Sequence, residues 1–124
     1  MTEAEFKART KQFAVAIVKF AKTLPNDPVT VVMVRQLVKS GSSVGANYRA
    51  ACRGKSEADF IAKLAIVEEE GDEAMFWLEV LVEAGIVNRR SIAALWDEAD
   101  QIVRITVASI VTVRRKLQRS QSRI

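Results

Sequence analysis

The chain has 124 residues, of which 49% are hydrophobic and 27% charged, with a formal net charge of +4 at pH 7 and no histidine. That composition excludes a low-complexity or natively unfolded chain and fits one compact domain, residues 1–124, able to bury about two-thirds of its extended surface. The charged start MTEAEFKARTKQ lacks the apolar stretch of a signal peptide, the run from Ile105 to Val113 is about half of a membrane span, and Cys52 has no second cysteine to pair with. A reducing, cytoplasmic setting with no membrane partner is expected.

The first apolar series is Phe6, Phe13, Ile17, Phe20 and Leu24, spaced by 7, 4, 3 and 4 residues. This is one stripe of a helix. Thr2 and Glu5 stand at the spacing of a capping box, so a helix is predicted over about 3–23. Leu24-Pro25-Asn26-Asp27-Pro28 ends it, because proline disfavours the helical backbone in the residue before it. Pro28 then suits the first turn of a second helix, with Asp27 as its cap.

The run from Pro28 to Val34 has the β-branched density of a strand. Yet Val34, Leu37, Gly41, Val44 and Tyr48 continue one seam at gaps of 3, 4, 3 and 4. The longer periodicity predicts helix over about 28–53, with Gly54 closing it just past its end. Ser56 to Asp59 opens a third helix over about 57–84, whose seam runs Phe60, Leu64, Val67, Gly71, Ala74, Leu78 and Leu81 before Ala84-Gly85 stops it. A fourth, over about 89–118, starts at Asn88 or Ser91. It follows Ile92, Leu95, Ala99, Ile102, Thr106, then Ser109 or Ile110, Val113 and Leu117. A basic tail, 119–124, is expected to fray.

Four such helices with short connections make an all-α, antiparallel, up-down-up-down four-helix bundle. Seam levels put Gly41 opposite Gly71, Leu37 opposite Ala74 and Val44 opposite Val67. Two glycines at one level imply either close backbones or a place filled by a large side chain from the first or fourth helix, with Phe13 and Ile17 as candidates. Gly41 and Gly45 stand four apart beside Ser42, Ala46 and Ala50. Each glycine costs a helix about 1 kcal/mol relative to alanine, so close packing is the expected compensation.

The residues from Arg35 to Gly85, RQLVKSGSSVGANYRAACRGKSEADFIAKLAIVEEEGDEAMFWLEVLVEAG, resemble the small bacterial four-helix-bundle proteins first noticed as reading frames in intervening sequences of 23S rRNA genes. The motif residues are Ser42 with Ala46-Asn47, then Gly54-Lys55-Ser56-Glu57-Ala58-Asp59-Phe60, then Trp77-Leu78-Glu79. The flanking FAVAIVKFAKTLP and the last helix match the same layout. Where many relatives carry a glutamate shortly after the Ala-Asn pair, this chain has Arg49 and Ala50, so that glutamate's role is not carried over. The resemblance implies a ring-shaped homopentamer with no established enzymatic activity. One branch similar in fold, the accessory variability protein of diversity-generating retroelements, binds RNA and its reverse transcriptase.

Catalytic readings find little support in the residues. A carboxylate-bridged di-metal centre in a bundle draws on Glu-x-x-His motifs, and this chain has no histidine. The acids from Glu68 to Glu73 crowd one helix and mostly leave its seam. Cys52 and the Ser42-Ser43 pair lack an imidazole base. No strand precedes a Gly-rich phosphate loop. No enzyme activity, cofactor or metal is therefore expected. Asn47 stands beside the seam, where it either fixes register or bonds water.

Charge is distributed unevenly. Residues 55–88 carry two Lys/Arg against nine acids, while 1–54 carry nine against three and 89–124 eight against three. The bundle topology gathers Lys7, Arg9, Lys11, Arg49, Arg53, Lys55, Arg114, Arg115, Lys116, Arg119 and Arg123 at one end, against Glu3, Glu5, Glu57 and Asp59. This is the electrostatic footprint of a nucleic-acid binder. Arg9, Lys11, Arg49, Arg53, Lys55, Arg114, Arg115, Lys116 and Arg119 are the candidate contacts. Phe6 and Tyr48, the aromatics at this end, are needed by the core, which speaks against recognition of particular bases. A second apolar set, Trp96, Val103, Val107 and Val111, exceeds what a monomeric bundle requires and marks an oligomer interface. Two readings follow: a homo-oligomer binding nucleic acid, RNA ahead of DNA, as an accessory to another protein, or a protein-interaction or structural module whose charges serve subunit contacts.

Overall fold

Four helices, α1 (Glu3–Ala21), α2 (Pro28–Cys52), α3 (Glu57–Glu83) and α4 (Arg89–Ser122), make up the computed structural model, which describes residues 1–122. Local chemistry sets most of their ends. Thr2 Oγ1 accepts from the Glu5 N–H at 3.1 Å, and Ser56 Oγ accepts from the Asp59 N–H at 3.0 Å. Each satisfies an amide that the first helical turn leaves without a partner. Asn88 does the same for Ser91 ahead of α4. α3 ends in a turn where Gly85 takes φ +75°, and the Ile86 N–H returns to the Leu81 carbonyl at 3.0 Å. That left-handed position is the one glycine supplies without strain.

The β-branched start of α2 is helical because Asp27 holds it. One Asp27 carboxylate oxygen accepts from the N–H groups of Val29 and Thr30, and the other accepts from the Thr30 hydroxyl. These bonds keep the carboxyl below the usual aspartate range, the Thr30 amide contributing most. A depressed folded pKa gives stability that is present above the unfolded value of about 3.9 and lost as pH falls through the lower folded value. Asp27→Asn should therefore melt below the parent protein at pH 6, and the two melts should converge as pH falls through the lower folded value. Parallel melts across that range would contradict this cap assignment.

Two ends differ from the sequence-based expectation. Gly54 does not adopt the left-handed conformation; it leaves space instead, since a Cβ there would lie 2.7 Å from Asp59 Oδ2. α4 runs four residues beyond 118, because nothing from Ser109 to Ser122 breaks a helix and its Lys, Arg, Leu and Gln favour one. Arg123, expected in the basic cluster, and Ile124 lie outside the described residues.

Successive helices pack side by side, and α1 and α4 touch sparingly. Ile17, Leu37, Val44, Leu64, Val67, Ala74, Leu78, Leu81, Ala99 and Ile102 form the fully buried centre. Phe6 meets Tyr48 edge-on, with ring centroids 4.6 Å apart, at one end of it. In α4 the buried alternative is Ile110, with Ser109 half-buried.

The two glycines turn to different neighbours. A Cβ on Gly41 would lie 2.9 Å from Ile17 Cγ1, so α1 fills that place with one of its two candidates. At Gly71 a Cβ would lie 2.7 Å from Val103 Cγ2 of α4, with Val44 at 4.0 Å. Gly41 and Gly71 therefore each receive a β-branched side chain and do not oppose one another. Backbones do come close at Gly45, where a Cβ would meet the Thr10 carbonyl oxygen at 3.1 Å.

Candidate nucleic-acid interface

One end of the bundle collects the start of α1, the α2–α3 turn and the last turns of α4. Glu3, Cys52, Lys55, Glu57, Val113 and Lys116 border a common recess there. α4 is about 51 Å long and α3 about 40 Å, from 34 and 27 residues. Lys116 pairs at 2.9 Å with Glu57, the first residue of α3. The six positions from Leu117 to Ser122 therefore continue α4 past the α3 terminus, and Arg119 is exposed on that extension.

The acids at this end are largely taken up by lysines. Glu3 pairs with Lys7 at 3.5 Å, Asp59 with Lys63 at 3.1 Å, and Glu57 with Lys116. Among the described residues Lys11, Arg49, Arg53, Lys55, Arg114, Arg115 and Arg119 form no ion pair. All seven are exposed. Lys7, Lys63 and Lys116 thus offset the nearby carboxylates, while the five arginines of this set keep their guanidinium groups open to solvent and to phosphate, which they bind bidentately.

Arg9 stands apart from this set. Its Nε and Nη2 donate to both carboxylate oxygens of Glu98, at 2.8 and 2.6 Å, and Nη2 also donates to Gln101 at 2.7 Å. Glu98 lies sixteen positions before Arg114, about 24 Å along α4. Arg9 ties α1 to α4 and is not presented with the other arginines. Composition could not reveal this, since its partner is 89 residues away in sequence.

Asn47 does not reach a neighbouring helix: its amide donates to the Ser43 carbonyl one turn earlier, at 2.8 Å. Cys52 is half-buried, and burial pushes its thiol up, the opposite of what a nucleophilic cysteine needs. On α3, burial raises the Glu70 carboxyl, and neighbouring Glu73 adds to this. No helix among the described residues is long and apolar enough to cross a membrane.

The second apolar stripe of α4 divides. Val103 is half-buried, packed against the core over Gly71, so the bundle itself accounts for it. Trp96 is half-buried and donates its indole N–H to Glu79 at 2.9 Å. Val107 and Val111 remain 38% and 39% exposed. Val29, Val32 and Phe76 of α2 and α3 are more exposed still, at 71%, 59% and 53%, and no stripe in the sequence marked them.

A family model described as 23S rRNA-intervening sequence protein matches residues 2–108. The match takes in α1, α2, α3 and the first part of α4, and stops short of Arg114, Arg115 and Arg119. Among solved structures, the chain is similar to a protein of unknown function from the S23 ribosomal protein family of Bacteroides thetaiotaomicron. The two share 35% identity over 85% of this chain and 97% of that one, with a TM-score of 0.79. No curated protein matches the sequence.

Proposed function

The chain belongs to the 23S rRNA-intervening sequence protein family, and we propose that it is a non-enzymatic, homo-oligomeric bundle that binds nucleic acid through its basic end, as an accessory to another protein. The observation that carries this reading is the set of arginines without carboxylate partners on the last turns of α4 and α2. Phosphate contacts of this kind position a backbone and carry no base information. The expected binding is therefore strong at low salt and indifferent to sequence. RNA is put ahead of DNA, and a cytoplasmic location is assigned, on the sequence and family resemblance alone. Arg9 is left out of the binding set because Glu98 and Gln101 already occupy it. Retention of single-stranded RNA on filters at stepped salt concentrations tests the reading. Retention that does not change with salt would overturn it.

A second reading, an interaction module, draws on the exposed apolar side chains. A ring needs two different patches on each subunit, one facing each neighbour. Val107 and Val111 supply one, and Val29, Val32 and Phe76 supply the other. The expected mass in solution is a multiple of the 13.8 kDa chain, with five subunits favoured by the resemblance. Light scattering coupled to size exclusion should also show that Val107→Arg with Val111→Arg shifts the assembly toward monomer. A parent protein that runs as a clean monomer at micromolar concentration would exclude both the ring and the interface.

A further inference from the structure

At the end of the bundle away from Arg114, Arg115 and Arg119, a groove of about 400 Å³ opens between the last turns of α3 and the first turns of α4. Its apolar surface comes from Trp96, Ile92 and Val82, and its rim carries Glu79, Glu83 and Asp97 against Arg89. Among the described residues none of these three carboxylates takes part in an ion pair, with Arg89 or any other cation. The indole N–H of Trp96 is fixed on Glu79 at 2.9 Å, which holds the ring in place along the groove. The volume lies at the small end of ligand sites.

We infer that this groove receives an arginine side chain presented by a basic segment of a partner protein. Three features select that occupant. An aromatic face attracts a cation and favours a flat guanidinium. Unpaired carboxylates at the rim accept its forked donors. The apolar wall suits the methylene stem, which stays against hydrocarbon while the charged head reaches the rim. Arg114, Arg115 and Arg119 are too far to fill it, since Arg114 follows Trp96 by eighteen positions, about 27 Å along the same helix, and Arg89 stands on the rim without pairing with any of the three carboxylates. The inference does not depend on nucleic-acid binding, which uses the opposite end.

The test uses the full chain with Trp77→Phe, which leaves Trp96 as the sole tryptophan of the original two. Its emission is followed while the capped tripeptide acetyl-Ala-Arg-Ala-amide is added, with the citrulline tripeptide as the uncharged twin. A saturable change is expected with arginine, and binding about tenfold or more weaker with citrulline. Glu83→Gln and Asp97→Asn, both exposed and checked for helix content by circular dichroism, should each weaken arginine binding by about tenfold. Equal response to the two peptides, no saturation, or indifference to both substitutions would overturn the assignment. Emission that changes with protein concentration alone, and stops changing when Arg114, Arg115 and Arg119 are replaced, would give the groove to a second copy and overturn the partner assignment.

Discussion

Gly41→Leu should lower the melting temperature by roughly 5–15 °C, corresponding to an overpacking cost of about 1–3 kcal/mol in a domain of this size. The first carbon added at Gly41 already falls 2.9 Å from Ile17 Cγ1 and 3.2 Å from Ile17 Cβ. Ile17 has no exposed surface into which it could turn. A leucine adds three further carbons in the same place. Ser42→Leu, one position along on the exposed side, adds the same side chain to open surface and should leave the melt within about 2 °C. Gly45→Ala is the finer probe. Alanine gains up to about 1 kcal/mol of helix propensity, but its methyl meets the Thr10 backbone at 3.1 Å, and a backbone yields less readily than a side-chain tip. A net loss at Gly45 would locate the close approach between α1 and α2. An unchanged melt for Gly41→Leu would mean that Ile17 does not fill this place.

The sequence made the buried seam of each helix legible but not the direction in which each seam residue points. Heptad spacing places Gly41 and Gly71 at the same height, while the α2 side chain nearest Gly71 is Val44, at 4.0 Å from a Cβ built there. Spacing is silent on which flank of the helix each glycine occupies. In the fold, one faces α1 and the other α4. The same blindness affected the α4 stripe, where Val103 and Val107 differ by one turn yet only Val103 meets a glycine that can admit it. End chemistry was legible wherever a side chain acts on its own turn, as at Thr2, Asp27 and Ser56. Gly54 looked like another such case, but it lacks the left-handed backbone of such a cap and lies against the Ala51 carbonyl and the Asp59 carboxylate. At the basic end, sequence gave the charges and topology gathered them. Only side-chain positions show Lys7, Lys63 and Lys116 taking carboxylates and leaving Arg49, Arg53, Arg114, Arg115 and Arg119 free.

That division decides which residues should matter for RNA. Replacing Arg114, Arg115 and Arg119 together by alanine should weaken binding to every single-stranded RNA, roughly tenfold or more near 100 mM salt. Each lost phosphate contact should also flatten the log–log salt dependence by about 0.7, for a total of about 2. The fold should survive, because all three are exposed on the end of α4, beyond its last buried residue, Ile110. Lys116 is a poorer choice than Arg119, since it already faces Glu57 at 2.9 Å and a phosphate would have to compete with that carboxylate. Lys19 and Lys22, exposed near the far end of α1, carry as much charge per residue and serve as the control. Replacing them should change the affinity little and the slope by less than about 0.5. Arg9→Ala makes the complementary control: it removes the tie to Glu98 and should lower stability without flattening the slope. Any protein with a sequence pI near 9.5 retains some RNA at low salt, so the difference between variants carries the conclusion. If the arginine and lysine variants lose affinity equally between about 50 and 200 mM salt, the attraction is spread over the whole surface. The charges at the end of α4 would then serve contacts between proteins, and the interaction-module reading would replace the nucleic-acid one.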